Sequence, residues 1–246
     1  MIDLHSHILF GLDDGAKNLE ESVKMAQVAA KDGIEKIVGT PHLFRGNFVQ
    51  KELSVIRQKK EELGQRLEDI GVDIELYTGA EVHISHDLMN EIRENREHLV
   101  IHNSSYMLIE FPSTHIFSGI KHLFFELMSE EIIPIIAHPE RNSVFRENPA
   151  LLYDLIEIGA LAQANSGSFV GLYGRKTMEA VSQFLSWNFI HFIGSDAHSS
   201  RSLSPKLADA FFKVGEMIGE ERAFALVWDN PQAVLRDEDI PYRYDP

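Results

Sequence analysis

The sequence predicts a single-domain α/β protein on a mainly parallel sheet, and two observations carry that prediction. Short apolar or β-branched runs recur along its 246 residues, and segments with helical spacing and legible ends lie between them. Residues able to bind metal follow those runs, as expected where one edge of a parallel sheet carries a site. Alternation alone allows an open doubly wound sheet or a closed barrel.

The first run, residues 2–5 (IDLH), begins a strand, and its alternation puts His5 and His7 on one face. Asp3 shares that face, placed to orient an imidazole. Two imidazoles at a strand mouth can chelate a metal, and Asp13 or Asp14 in the next loop can join them. An isolated His-x-His is as often a pair of ordinary polar residues. Asn18 with Glu21 reads as a capping box, and Gly33 closes that helix. The second strand, 35–40 (EKIVGT), leads to His42, and residues 50–69 have helical spacing. The third, 74–79 (IELYTG), leads to Glu81; the fourth, 106–110 (YMLIE), ends at Glu110. After a helical stretch over 117–130, the fifth strand, 133–137 (IPIIA), leads to His138. Asn148-Pro149 opens a helix that Gly159 stops. The sixth strand is 160–164, and the seventh, 190–194 (IHFIG), leads to Asp196 and His198. Helices over 205–218 and from Asn230-Pro231 follow, and the polar stretch 237–246 (DEDIPYRYDP) is expected to be loosely held.

With 23 basic and 38 acidic side chains the net charge is −15, which repels phosphate backbones and argues against nucleic-acid binding. There is no run of about 18 apolar residues and no basic-then-apolar leader, so no membrane insertion is expected and a cytoplasmic location fits. Cysteine is absent, which excludes disulfides, zinc–thiolate sites and thiol nucleophiles. No Gly-x-Gly-x-x-Gly follows the first strand and no Walker-type loop occurs.

A lone histidine after a strand is more often a hydrogen-bonded loop residue than a ligand. Agreement among six strand ends is different. Together they offer about nine imidazole and carboxylate donors, too many for one ion, so two or three metals are implied. Imidazoles with carboxylates and no thiolates suit first-row transition metals. The other histidines lack this register: His83, His86, His98, His102, His115 and His122 read mostly as surface residues, His115 as a candidate for the site's rim. His191, inside the last strand, reads as a core or partner-facing side chain.

The motifs HSH, TPH, GAE, IEFP, AHPERN and SDAH resemble the PHP (polymerase and histidinol phosphatase) superfamily, and DDGA, IEFP, AHPERN and NSGS narrow this to its metal-dependent protein-tyrosine phosphatases of bacterial capsule and exopolysaccharide operons. The resemblance implies a distorted (β/α)7 TIM-like barrel with a trinuclear site at the C-terminal ends of the strands. One metal would take His5, His7, Glu81 and Asp196. A second would share Glu81 with Glu110 and His138, and a third would take Asp14, His42 and His198. Three divalent ions are expected, manganese first, with iron or zinc possible. Arg141 is expected to fork onto phosphate oxygens, and Arg201 resembles the family's second phosphate-binding arginine. Arg175 is a further basic candidate to which the resemblance gives no catalytic part. The implied reaction is hydrolysis of phosphotyrosine by a metal-activated hydroxide, on a substrate that is a bacterial capsule-synthesis tyrosine kinase. The nearest alternative is a histidinol-phosphate phosphatase; a phosphodiesterase and a non-catalytic adaptor are weaker.

Overall fold

Every strand pairing in the computed structural model, which describes residues 1–46, 54–85 and 87–243, is parallel. The strands are β1 (Ile2–Ser6), β2 (Lys36–Gly39), β3 (His42–Leu43), β4 (Glu75–Thr78), β5 (Glu81–His83), β6 (Tyr106–Glu110), β7 (Ile133–Ala137), β8 (Leu161–Asn165) and β9 (Phe192–Gly194). Nine short strands stand where seven were expected because two are interrupted. Thr40-Pro41 separates β2 from β3, where proline has no N–H to give the ladder, and Gly79-Ala80 separates β4 from β5. Hydrogen bonds carry the pairing across both gaps: Gly79 N–H donates to Gly39 at 3.0 Å and Glu81 N–H to Pro41 at 3.1 Å.

The strands form two sheets, β1-β2-β4 and β3-β5-β6-β7-β8-β9. β1 also meets the chain just past β9 through a parallel bridge between Ser6 and Ala197. Asp196 N–H donates to His5 O and His7 N–H to Ala197 O, both at 2.8 Å. The result is a distorted TIM-like barrel of seven parallel strand paths.

Register defines its interior. His42, Glu81, Leu108, Ile135 and Leu161 are successive partners in one row. Ile2, Leu4, Val38, Leu108, Ile135 and Phe192 pack together inside. The opposite faces, including Ile37, Ile109, Ile136 and Ile193, pack against helices through Met25, Leu63, Phe124, Leu155 and Phe184. Those side chains belong to α1 (Leu19–Lys31), α2 (Ser54–Asp69), α4 (Ile120–Ser129), α6 (Pro149–Ile158) and α8 (Arg175–Ser186); α3 (Leu88–Leu99), α5 (Ser143–Glu147) and α7 (Ser166–Phe169) complete this part of the chain. Asn18 caps α1 by accepting from Glu21 N–H at 3.0 Å. Residues 50–53 of the expected second helix lie outside the described residues.

α9 (Ala208–Ile218) starts three residues later than its spacing suggested. Its first N–H groups are capped from another element: Asp32 Oδ2 accepts from Leu207 N–H at 2.6 Å and Ala208 N–H at 2.9 Å. The last helix begins at Asn230 as expected, but it continues a longer helical run. α10 (Glu220–Phe224), a π-turn over Ala225–Asp229 and α11 (Asn230–Arg236) follow without a break. Val234, Leu235 and Ile240 then close the floor of the barrel against its interior side chains.

The stretch expected to be loose is tied down over residues 237–243. Tyr106 Oη donates to Glu238 O at 2.8 Å, Tyr242 N–H to Asn230 Oδ1 at 3.0 Å, and Arg243 to Gly159 O at 2.7 Å. Residues 244–246 lie outside the described residues.

Candidate metal centre

The rim opposite that floor gathers the strand-end donors. In β1 the alternation expected from sequence is broken. From Asp3 to Ser6 the strand advances three residues while β2 advances two, from Ile37 to Gly39. Leu4 therefore stays in the interior cluster while His5 still reaches Gln163 of β8, its Nδ1 2.7 Å from Gln163 Oε1. Asp3 holds backbone rather than an imidazole, accepting from Ser195 N–H at 2.9 Å, Ser195 Oγ at 2.5 Å and His5 N–H at 3.2 Å. Burial pushes its carboxyl up to about 6.

Second partners fix how the imidazoles face. Gln163 occupies His5 Nδ1, Asp13 Oδ2 lies 2.6 Å from His7 Nδ1, and His198 Nδ1 lies 2.9 Å from Asp196 O. Each leaves Nε2 for the centre. Four side chains meet there: His5 Nε2 is 3.4 Å from Glu81 Oε2 and 3.3 Å from Asp196 Oδ1, and His7 Nε2 is 3.3 Å from both. His138 Nε2 approaches the other Glu81 oxygen at 3.0 Å. His42 sits between groups, Nδ1 2.7 Å from Glu81 Oε2 and 3.8 Å from Glu110 Oε2, Nε2 3.5 Å from Asp14 Oδ1. His198 Nε2 is also 3.5 Å from Asp14 Oδ1.

Three sets of donor atoms lie within 4.8 Å of one another: His5, His7, Glu81 and Asp196; His7, Asp14, His42 and His198; and His42, Glu81 and Glu110. These sets hold eight of the nine expected donors, and the ninth, His138, reaches the same rim through Glu81. Three details depart from the expected grouping: His7 stands also with Asp14, His42 and His198, His42 stands also with Glu81 and Glu110, and His138, although it meets Glu81, falls in none of the three sets.

Backbone geometry serves the clustering. His138 and Asp196 both have positive φ, 35° and 51°, a conformation that costs a non-glycine residue about 1–3 kcal/mol and concentrates at functional sites. Gly15 packs on His7, and a Cβ there would collide with the His7 carbonyl and Cβ. Glycine alone lets the Asp13-Asp14 loop fold back onto that histidine.

The charge balance favours cations. Burial alone would depress His5, but the carboxylates of Glu81 and Asp196 more than offset it and raise the imidazole to about 9. Burial would raise Glu81 and Asp196; His5 and the neighbouring imidazoles overcome it and hold both well below the usual carboxylate range. Buried ionised carboxylates among imidazoles, with no thiolates, suit divalent first-row metals.

Arg141 lies at the edge, its Nη1 2.5 Å from Asp196 Oδ2, 37% exposed, with its guanidinium 4.6 Å from the Tyr173 ring. Asn165 Nδ2 donates to the same Asp196 oxygen at 2.7 Å. Arg201 is not brought so close: it is exposed in the turn after His198, where its charge acts on Glu21. Arg175 pairs with Glu179 on the surface of α8.

Sequence reasoning missed two residues. Arg45 Nη1 lies 2.6 Å from His42 Nε2 and 3.2 Å from Glu110 Oε1; it stands three residues past His42, as Arg141 stands three past His138. His83, read as a surface residue, is one alternation beyond Glu81 on β5, with Nδ1 3.2 Å from Glu110 Oε2. His98, His102, His115 and His122 are exposed or half-buried on helices and loops, and His86 lies outside the described residues. His191 is 1% exposed and a core residue: its Nδ1 accepts from Ala162 N–H at 3.1 Å.

Comparison with known proteins agrees with the geometry. The family model for capsular polysaccharide synthesis, CpsB/CapC, matches residues 1–236. The tyrosine-protein phosphatase YwqE of Bacillus subtilis is 35% identical over 240 residues, 98% of this chain and 93% of YwqE. A solved structure from the work on YwqE of Bacillus subtilis and CpsB of Streptococcus pneumoniae, described as unique metal-dependent tyrosine phosphatases, superposes with a TM-score of 0.94 at 36% identity, covering 100% of this chain and 98% of that one. The histidinol phosphate phosphatase of Lactococcus lactis, with zinc, L-histidinol and phosphate, shares the fold at 15% identity and a TM-score of 0.57, over 91% of this chain and 94% of that one.

Proposed function

The chain belongs to the CpsB/CapC family of capsular polysaccharide synthesis, and from that premise we propose that it is a metal-dependent protein-tyrosine phosphatase, a phosphoric monoester hydrolase acting at the strand-end rim. The observation that carries this reading is the convergence of eight donors, with His138 against Glu81 as a ninth, from six strand ends and their loops beside Arg141. The histidinol-phosphate alternative has fold-level likeness alone on its side.

We assign His5, His7, Glu81 and Asp196 to one ion, Glu81, Glu110 and His138 to a second, and Asp14, His42 and His198 to a third, with manganese as the first choice of metal. When bound, the ions supply charge neutralisation for a phosphate dianion and a more acidic water as nucleophile. The chain's own groups do the rest. Gln163 and Asp13 hold the His5 and His7 rings so that their Nε2 lone pairs face inward. Arg141, anchored by Asp196 and Tyr173, offers its remaining N–H groups to the equatorial phosphoryl oxygens, where charge spreads in the transition state. Arg201 supplies a second cation from its exposed turn. A tyrosine phenol, with pKa about 10, leaves more readily than an alkyl alcohol. The physiological substrate is a phosphorylated capsule-synthesis tyrosine kinase, met in the cytoplasm.

The test strips the purified protein of metal, reloads it with Mn2+, and compares kcat/KM on a phosphotyrosine peptide and on histidinol phosphate. Metal-dependent preference for the peptide supports the reading. Preference for histidinol phosphate overturns the substrate, and turnover after exhaustive metal removal overturns the mechanism.

A further inference from the structure

Beside the metal rim lies a cavity of about 100 Å3. One wall is the loop after α7, with Val170, Leu172 and Tyr173; the facing wall is Ser202–Ser204, in the turn that carries Arg201. Its floor includes Ser195, the neighbour of Asp196. Tyr173 belongs to both places, lining the cavity and lying under the Arg141 guanidinium.

The loop is built to this shape. Gly171 and Gly174 have φ of 82° and 85°, and a Cβ on Gly167 would meet Leu172 and Tyr173 at 2.9 and 3.1 Å. Val170 and Leu172 are nevertheless 49% and 55% exposed. An apolar lip held in place by three glycines and left open to solvent stands one guanidinium away from the phosphoryl site.

We propose that this cleft receives the side chain next to the phosphotyrosine in a polypeptide substrate, and that it selects a small one. The inference rests on the phosphatase reading. The occupant follows from continuity: Tyr173 both lines the cleft and lies under the Arg141 guanidinium, so a peptide whose phosphate lies against Arg141 brings a residue next to its phosphotyrosine to the mouth of the cleft. The size follows from the volume, below the ~150 Å3 of an apolar cavity that admits benzene. Apolar carbon from Val170, Leu172 and Leu203, serine hydroxyls, and Lys206 with Asp209 of opposite charge make a mixed lining, so size rather than polarity selects the occupant, and alanine or serine fits where an aromatic does not.

The experiment uses the Mn2+-loaded protein with three substrates: free phosphotyrosine, a phosphotyrosine peptide flanked on both sides by alanine, and the same peptide flanked by tryptophan. The expected result is a kcat/KM about tenfold or more higher for the alanine peptide. Leu172→Ala, which widens the cleft, should narrow that ratio. Ser202→Phe, which fills it from an exposed turn, should lower the alanine peptide's kcat/KM relative to that of free phosphotyrosine. Equal turnover of the two peptides by the unaltered protein, or ratios that neither variant moves, would overturn the cleft assignment. Failure to hydrolyse free phosphotyrosine would instead sink the phosphatase reading beneath it.

Discussion

Asp13 Oδ2 lies 2.6 Å from His7 Nδ1 and accepts the His42 N–H at 2.9 Å. The first of the two adjacent aspartates therefore orients histidines, while Asp14 turns its carboxylate to His42 and His198 at 3.5 Å. The two should fail differently. Asp13→Asn should keep the full complement of metal but weaken affinity about 10–100-fold, the usual cost of losing an orienting partner. Asp14→Ala should lose about one ion per chain, since a site left with imidazoles alone lacks its anionic donor. Metal content and affinity, measured by elemental analysis and titration, separate these outcomes; equal losses from both variants would refute the division of labour.

Gly15 tests whether the loop must close on His7. In Gly15→Ala the new methyl meets the His7 carbonyl and Cβ, and backbone cannot yield as a flexible side chain can. Overpacking of this kind costs about 1–3 kcal/mol, read as a lower urea midpoint, and metal affinity should fall with it. A variant with unchanged midpoint and affinity would show the loop to be free of that constraint.

Arg141 separates charge from shape. Arg141→Ala should lower kcat/KM on phosphotyrosine by about 10²–10³-fold, the scale found when one transition-state donor is removed. Arg141→Lys should recover part of this and no more, because an ammonium cannot present a planar fork. Metal content should stay that of the unaltered protein in both, since Arg141 touches Asp196 from outside the donor groups. Loss of metal in the lysine variant would reassign Arg141 to holding the centre together.

His191 predicts a pH dependence away from the centre. Burial lowers its pKa from 6.5 to about 3, so it stays neutral in the fold where an unfolded chain would protonate. The unfolded state therefore binds more protons between those values, and stability rises with pH there. This contribution is complete above about 6.5 and is lost as pH falls, with a slope approaching about 1.4 kcal/mol per pH unit. His191→Asn keeps an acceptor for the Ala162 N–H and does not titrate. The difference in unfolding free energy between the two proteins should shrink in favour of the variant from pH 7 to pH 4; a constant difference would show that His191 protonates freely when folded.

What sequence disclosed was mostly local. Asn18, Gly33, Pro149 and Gly159 mark helix ends through their own side chains or dihedrals, and a site built at strand ends leaves its donors just after apolar runs. What stayed hidden depends on distant partners. α3 and α8 have no side-chain cap of their own, so their starts carry no signal, and the N-terminus of α9 is capped by Asp32, far away in sequence. The bulge in β1 exists through its pairing with β2, and from one strand it reads as simple alternation. That Asn230-Pro231 opens a helix was legible, but not that the buried Asn230 amide donates to His191 O and Tyr242 O, each at 2.9 Å. Arg45 was missed because nothing in the spacing says that its loop turns back onto Glu110.

The closure of β1 on the segment after β9, with the barrel floor supplied by residues 234–240, also constrains the order of events during synthesis. His5 and His7 leave the ribosome first, yet Asp196 and His198 must emerge before the donor set is complete, and the floor follows later still. Contacts of such sequence separation form late and slowly. Until residues 196–198 and then the floor have emerged, the chain therefore carries only part of its donor rim, and the site is assembled late in the synthesis of this fold.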